Sequence, residues 1–205
     1  MSCSLPAVFA ALALALTACA APIADPALPA AAAADAPRAV AGAPSTPEDR
    51  AARLALPEMA PLSFFLGEWD VQVYDANTGA PLYRARTHAR PALDGHVIQD
   101  DWRALDAAGN VFFRGMSLRS YVPATGRWTI HWSMANTRGH TYLDAEWRDG
   151  EIHGTGFGFD GAGQFTERLR YFDITGDSYS FRMERSYDGG ATWTKISYLK
   201  ATRRA

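Results

Sequence analysis

Residues 115–134 read GMSLRSYVPATGRWTIHWSM. Two runs of alternating apolar and polar residues flank Pro123-Ala124-Thr125-Gly126, a stretch that suits a four-residue turn. A period of two marks a strand with one buried face. The turn sets the pairing: Tyr121 opposite Trp128, Arg119 opposite Ile130 and Ser117 opposite Trp132. The row Trp128, Ile130, Trp132, Met134 is apolar and turns inward. Ser117, Arg119 and Tyr121 turn inward with it.

The same texture extends both ways from this hairpin. Aromatic and β-branched residues alternate with polar ones, and Gly, Asp and Asn recur roughly every ten to fourteen residues. The sequence predicts strands at 67–75, 81–90, 96–105, 110–122, 127–135, 140–148, 151–159, 164–173, 178–186 and 193–201. Short antiparallel strands in this number suit an all-β fold, an about ten-stranded antiparallel meander barrel with a short N-terminal helix. Closure removes exposed edges, and an open sandwich is the alternative. Ser186-Tyr187-Asp188-Gly189-Gly190-Ala191-Thr192-Trp193 matches the Asp-box pattern, in which side chains fasten a hairpin turn and do no chemistry.

Other turns extend the register. Asp94-Gly95 pairs Ala89 with Asp100 and Thr87 with Trp102, placing His96, Ile98, Asp100 and Trp102 on one inward face. Asp149-Gly150 pairs Leu143 with Gly156. The 160–163 turn pairs Gly156 with Glu167, so Glu167, Leu169 and Tyr171 face inward. Gly154, Gly156 and Gly158 then form an inward stripe expected to leave space. The opposite face of the early strands carries Arg84, Arg86, His88, Arg90, Gln99, Asp101 and Arg103, a solvated stripe.

The interior so predicted is aromatic and holds Asp100, Arg119 and Glu167. Buried unpaired charge is expensive, so these groups must pair, hydrate or bind something. Three readings stay open: a structural Arg–carboxylate network, an Arg119-centred anchor for the polar head of a ligand, and a catalytic pairing. The planar guanidinium fork suits carboxylate or phosphate. Candidate ligand-binding residues are Arg119, Asp100, Glu167, Ser117, Tyr121, Trp132, Tyr171 and His96.

The N-terminal third reads differently. Residues 7–18 form an apolar run of about a dozen residues, too short to span a ~30 Å hydrocarbon core. That length fits the apolar region of an export signal over 1–18, although residues 1–6 carry no Lys or Arg. Leu16-Thr17-Ala18-Cys19 resembles a bacterial lipobox, which implies acylation of Cys19, membrane attachment and residence in the cell envelope. Ala20 rather than Asp follows the cysteine, which favours the outer membrane, facing the periplasm. Residues 19–45 are Ala/Pro-rich and lack aromatics, a composition that reads as a semi-extended tether. Thr46, Pro47 and Asp49 form a capping-box helix start, expected to run to Leu56 and stop at Pro57. This gives a helix and lead-in at 46–61 and a barrel at 62–205.

Phe64-Phe65-Leu66-Gly67-Glu68-Trp69-Asp70-Val71 is similar to the Gly-x-Trp opening of calycin barrels such as lipocalins. Together with Leu93-Asp94-Gly95, residues 115–121, Thr125-Gly126-Arg127-Trp128 and the Asp box, it resembles an uncharacterised family of small exported bacterial proteins with a lipocalin-like barrel. The resemblance implies a tryptophan packed across the barrel floor and brings no catalytic residues. Haem-binding nitrobindin-like barrels add glycines after that tryptophan and a late histidine. Here Asp70-Val71-Gln72-Val73 follows, and no histidine comes after His153.

Composition narrows the function classes. The chain has 205 residues, 48% hydrophobic, with a formal charge of −2, so a nucleic-acid partner is not expected. Its two cysteines, Cys3 and Cys19, lie outside the barrel, which excludes a disulfide-stapled core or a cysteine zinc site. None of His88, His96, His131, His140 and His153 forms a His-x-x-x-His pair, so no metal and no cofactor are expected. His96 and Asp100, four apart on one strand face, stand about 13 Å apart at ~3.3 Å rise and cannot touch. The sequence thus points to a membrane-tethered barrel binding a small amphipathic or apolar molecule. An isomerase- or hydrolase-type enzyme in the same lumen is one alternative. A non-catalytic envelope module docking through Arg84–Arg90 is another.

Overall fold

At the first described residue, Thr46 accepts the Asp49 amide on its hydroxyl, while Asp49 accepts the Thr46 amide in return. This computed structural model describes residues 46–137 and 139–204. The export signal, Cys19 and the tether therefore lie outside the described residues. Helix α1 spans Pro47–Ala51 and is shorter than expected. It does not reach Leu56 because the Ala55 amide leaves the helical path and donates to the Gly95 carbonyl, while Leu54 and Leu56 turn onto the core.

Instead of a plain connector, Pro57–Phe65 forms a 3₁₀ helix. Its apolar residues recur every three positions, the 3₁₀ period. Met59, Leu62 and Phe65 thus share a face, and each is at most 1% exposed.

Ten strands follow: β1 Gly67–Tyr74, β2 Pro81–Ala92, β3 Val97–Leu105, β4 Val111–Val122, β5 Arg127–Met134, β6 His140–Arg148, β7 Glu151–Asp160, β8 Gly163–Phe172, β9 Ser178–Ser186 and β10 Thr194–Arg203. Each pairs antiparallel with its chain neighbour, and β1 pairs with β10, so the meander closes into a barrel consistent with a calycin-like fold. The turns set the expected registers. Tyr121 faces Trp128, Ser117 faces Trp132, Ala89 faces Asp100, and Gly156 lies between Leu143 and Glu167. His96 is the exception. Its backbone sits in the helical region (φ −75°, ψ −15°) as the cap of the Leu93–Gly95 turn. Strand alternation therefore starts one residue later, and His96 is exposed.

The barrel is sealed at the end where β1 starts and β10 ends. Trp69 lies across it, 1% exposed, and its indole N–H donates to the Phe65 carbonyl at 2.8 Å. The Arg203 guanidinium stacks on that indole, 4.2 Å from the ring centroid. It also donates to the carbonyls of Phe64, Leu66 and Gly176 at 2.7–2.8 Å. One side chain thus ties the last strand to the 3₁₀ helix and to the β8–β9 connection. At the other end, over β3–β5, the inward residues Trp102, Phe113, Trp132 and Met134 are only part-buried.

The glycine stripe does not provide the expected space. A Cβ on Gly154 would stand 2.9 Å from Leu169 Cδ1, and one on Gly158 would meet the His140 carbonyl oxygen at 2.5 Å and the Phe165 ring at 2.6 Å. Neighbouring side chains fill what the missing methyls leave. At Gly156 the barrier is backbone, since a Cβ there would land on the Tyr142 carbonyl oxygen and lie 2.7 Å from Leu143 Cα. Gly156→Ala is expected to destabilise the fold by about 1–3 kcal/mol in urea titrations, because backbone cannot move aside cheaply.

The Asp box fastens the β9–β10 turn as its pattern implies. Asp188 accepts from the Ser186 hydroxyl, the Thr192 amide and the Thr192 hydroxyl at 2.6–2.9 Å. The Thr192 hydroxyl, the Thr192 amide and the Ser186 hydroxyl lower the Asp188 pKa to about 2. A carboxylate depressed on folding stabilises the fold above its unfolded pKa of 3.8, and that contribution is lost as pH falls toward about 2. NMR titration should place Asp188 near 2, with the turn amides of Gly190 and Thr192 losing protection over the same interval.

Candidate functional site

The interior polar residues sit on adjacent strands because register forces them there. Ser117 on β4 is directly opposite Asp100 on β3, and Arg119 is opposite Ile98 one step toward the floor. Facing Cβ atoms in such pairs lie about 5 Å apart. Thr87 on β2 stands between Trp69 and Trp102. All four polar residues are nearly sealed: Thr87, Ser117 and Arg119 are 3% exposed and Asp100 is 7%.

Arg119 anchors the cluster. Both terminal nitrogens of its guanidinium reach the same Asp100 oxygen, Oδ2, at 3.3 and 3.4 Å, and one also contacts the Tyr171 hydroxyl at 3.3 Å. Its guanidinium carbon lies 4.1 Å from the centroid of the Phe65 ring. The pairing leaves the other half of each ion unengaged. Asp100 Oδ1, Arg119 Nε, Ser117 Oγ and Thr87 Oγ1 are buried and hydrogen-bond to no described residue. Buried polar atoms are normally satisfied, and each unsatisfied one costs about 1–3 kcal/mol. Burial raises the pKa of Asp100, with the Arg119 charge pulling the other way. Burial also raises the pKa of the Tyr171 and Tyr179 hydroxyls, which stay neutral at ordinary pH.

Glu167 does not join this group. It is 2% exposed and accepts from Arg185 Nε at 2.8 Å, with Arg185 lying opposite on β9. Arg185 also binds Asp160 at 3.0 Å and covers the Phe165 ring at 3.9 Å. Burial raises the Glu167 pKa, opposed by Arg185. The interior therefore holds two separate ion pairs, not one convergent triad. Asp100 and Glu167 have the opposite pH sign to Asp188. A carboxyl raised on folding is easier to bury protonated, so its penalty grows as pH climbs through the carboxylate range.

The remaining predicted residues divide. Ser117, Trp132 and Tyr171 belong to the Asp100–Arg119 cluster or its walls. Trp132 packs on Gly115, where no Cβ intervenes, and meets Trp102 edge-on with centroids 6.4 Å apart. Tyr121 faces inward nearer the floor, and its hydroxyl approaches the Gly126 turn rather than Arg119. His96, exposed beyond the strand, takes no part. The residues not anticipated as part of a site are Thr87, Arg185 and Phe65.

The exterior is laced with ion pairs. A groove of about 390 Å³ runs over β5–β9, lined by Arg127, Glu146, Arg148, Arg168, Arg182 and Glu184 among others. Arg127 pairs with Glu146 and Arg168 with Glu184, while Arg170 bonds Glu151. Such exposed pairs contribute little each. Within the stripe over β2 and β3, Arg90 binds Asp101 at 2.8 Å and Arg86 binds Asp70 at 3.4 Å. Among the described residues no three His, Cys, Asp or Glu side chains converge on a metal-sized site. No protein-family model matches the chain, and no curated protein matches it.

Proposed function

We propose that this protein is an exported, lipid-anchored envelope barrel, related to lipocalin-like exported proteins, that holds one small amphipathic molecule in its lumen. The observation that carries the reading is positional. Four buried polar atoms that hydrogen-bond to no described residue lie on β2–β4, and the part-buried sector of the barrel, Trp102, Phe113, Trp132 and Met134, lies beyond them on β3–β5. A ligand entering there would present a polar head to Asp100 and Arg119 and lay its apolar body along the two indoles. The Leu16-Thr17-Ala18-Cys19 stretch supports envelope attachment.

Native mass spectrometry and thermal shift across a lipid and metabolite panel test the lumen. A ligand at one hundred times its Kd stabilises by about 2.7 kcal/mol. That corresponds to a rise of about 5–10 °C in Tm for a domain of this size. An adduct-free mass and no stabilisation by any compound would count against the reading. Cys19→Ala tests the anchor separately, with loss of the protein from the membrane fraction expected.

A further inference from the structure

We infer that the ligand's head is uncharged and carries both a hydrogen-bond donor and an acceptor, as in a primary amide or a vicinal diol. This rests on the lumen-binding reading and refines it. A free guanidinium would select a carboxylate or phosphate. Here the guanidinium is already engaged, with both terminal nitrogens on Asp100 Oδ2 and one on Tyr171. What remains unbonded in the buried cluster is mixed: one acceptor, Asp100 Oδ1, one donor, Arg119 Nε, and two hydroxyls able to do either, Ser117 Oγ and Thr87 Oγ1.

Charge leads to the same head group. At the cluster itself Arg119 is matched one-to-one by Asp100, so that ion pair carries no net charge. A carboxylate on Arg119 Nε would sit against Asp100 Oδ1, two like charges in a dry site. An ammonium on Asp100 Oδ1 would sit against the guanidinium. Either adds an uncompensated buried charge, which is costly. An amide avoids both: its carbonyl accepts from Arg119 Nε–H, and its N–H₂ donates to Asp100 Oδ1 and to a hydroxyl.

The length of the apolar part follows from position. Asp100 is five residues from Leu105, the end of β3, or about 16 Å along the strand at ~3.3 Å per residue. Strand tilt in a barrel shortens that to about 12 Å of depth. A chain of about eight carbons spans it.

The test is isothermal titration of the full chain at neutral pH with four probes of one tail length: octanamide, 1,2-octanediol, octanoate and octylammonium. Octanamide and the diol are expected to bind at least tenfold more tightly than either ion. Thr87→Val and Ser117→Ala should each weaken octanamide severalfold while leaving the melting temperature of the free protein within a few degrees. Octanoate or octylammonium binding as tightly as octanamide overturns the uncharged head and leaves the lumen reading standing. Saturable binding by none of the four removes both.

Discussion

Arg119→Met is expected to destabilise the protein by about 3–5 kcal/mol, and Asp100→Leu by a similar amount. Each change leaves one ion buried without its partner, since both residues are nearly sealed and bond chiefly to each other. Arg119→Met also loses the stack on Phe65. The double variant should behave differently. With both ions gone, the orphaned Nε and Oδ1 go too, and an apolar pair of similar volume can fill the space. Such replacements are commonly neutral or stabilising by about 1–4 kcal/mol. Urea unfolding of all four proteins should therefore give a double variant at or above wild-type stability and two weak singles. The double variant should no longer bind octanamide. That combination would place the ion pair in recognition and not in folding. A double variant as unstable as the sum of its singles would mean the pair is a structural element.

Trp69→Ala should cost about 3–5 kcal/mol, the usual range for deleting a fully buried indole. For a domain of this size that lowers Tm by about 6–20 °C. The indole does several jobs at the sealed end. It donates to the Phe65 carbonyl, packs edge-on against Tyr179 with centroids 4.9 Å apart, and supports the Arg203 guanidinium. Arg203→Lys probes the same clamp more gently. A lysine keeps the charge, yet one ammonium cannot reach three carbonyls on two segments as the guanidinium fork does. A loss of about 1–3 kcal/mol is expected. Hydrogen exchange should show Met59–Leu66 opening first in both variants, because those residues lose their tie to β10.

The barrel was legible in the sequence because its turns are short and chemically explicit. Asp149-Gly150, the 123–126 turn and the 160–163 turn each leave one register open to the flanking strands, and the apolar rows then choose the inner face. That logic puts Asp100, Ser117, Arg119, Glu167 and Tyr171 inside, where the structure has them. Where the turn is irregular the logic stops. Between β8 and β9 the chain passes through Asp173 at φ 52° and a five-residue connection. Nothing in that segment announces that Arg185 lands opposite Glu167.

Two further differences have simple causes. Alternation carried one residue too far into His96, because a helical turn residue and a strand residue look alike when both flank apolar neighbours. The glycines suggest space because a missing Cβ is visible in sequence, whereas the Leu169 and Phe165 side chains that occupy it belong to another strand. Thr87 lay on the inward row from the start, but a threonine raises no alarm until its hydroxyl proves to be buried without a partner. The 3₁₀ helix had a signal, the three-residue recurrence of Met59, Leu62 and Phe65, which a search for periods of 2 and 3.6 passes over.

The most direct measurement is an NMR titration of octanamide into isotope-labelled full-length protein, following the Arg119 Nε–H and the indole signals of Trp102 and Trp132. A saturable shift of the Arg119 signal and contacts between the octyl chain and both indoles are expected. An Arg119 signal that does not move, with shifts confined to the outer faces of the strands, would contradict binding in the lumen.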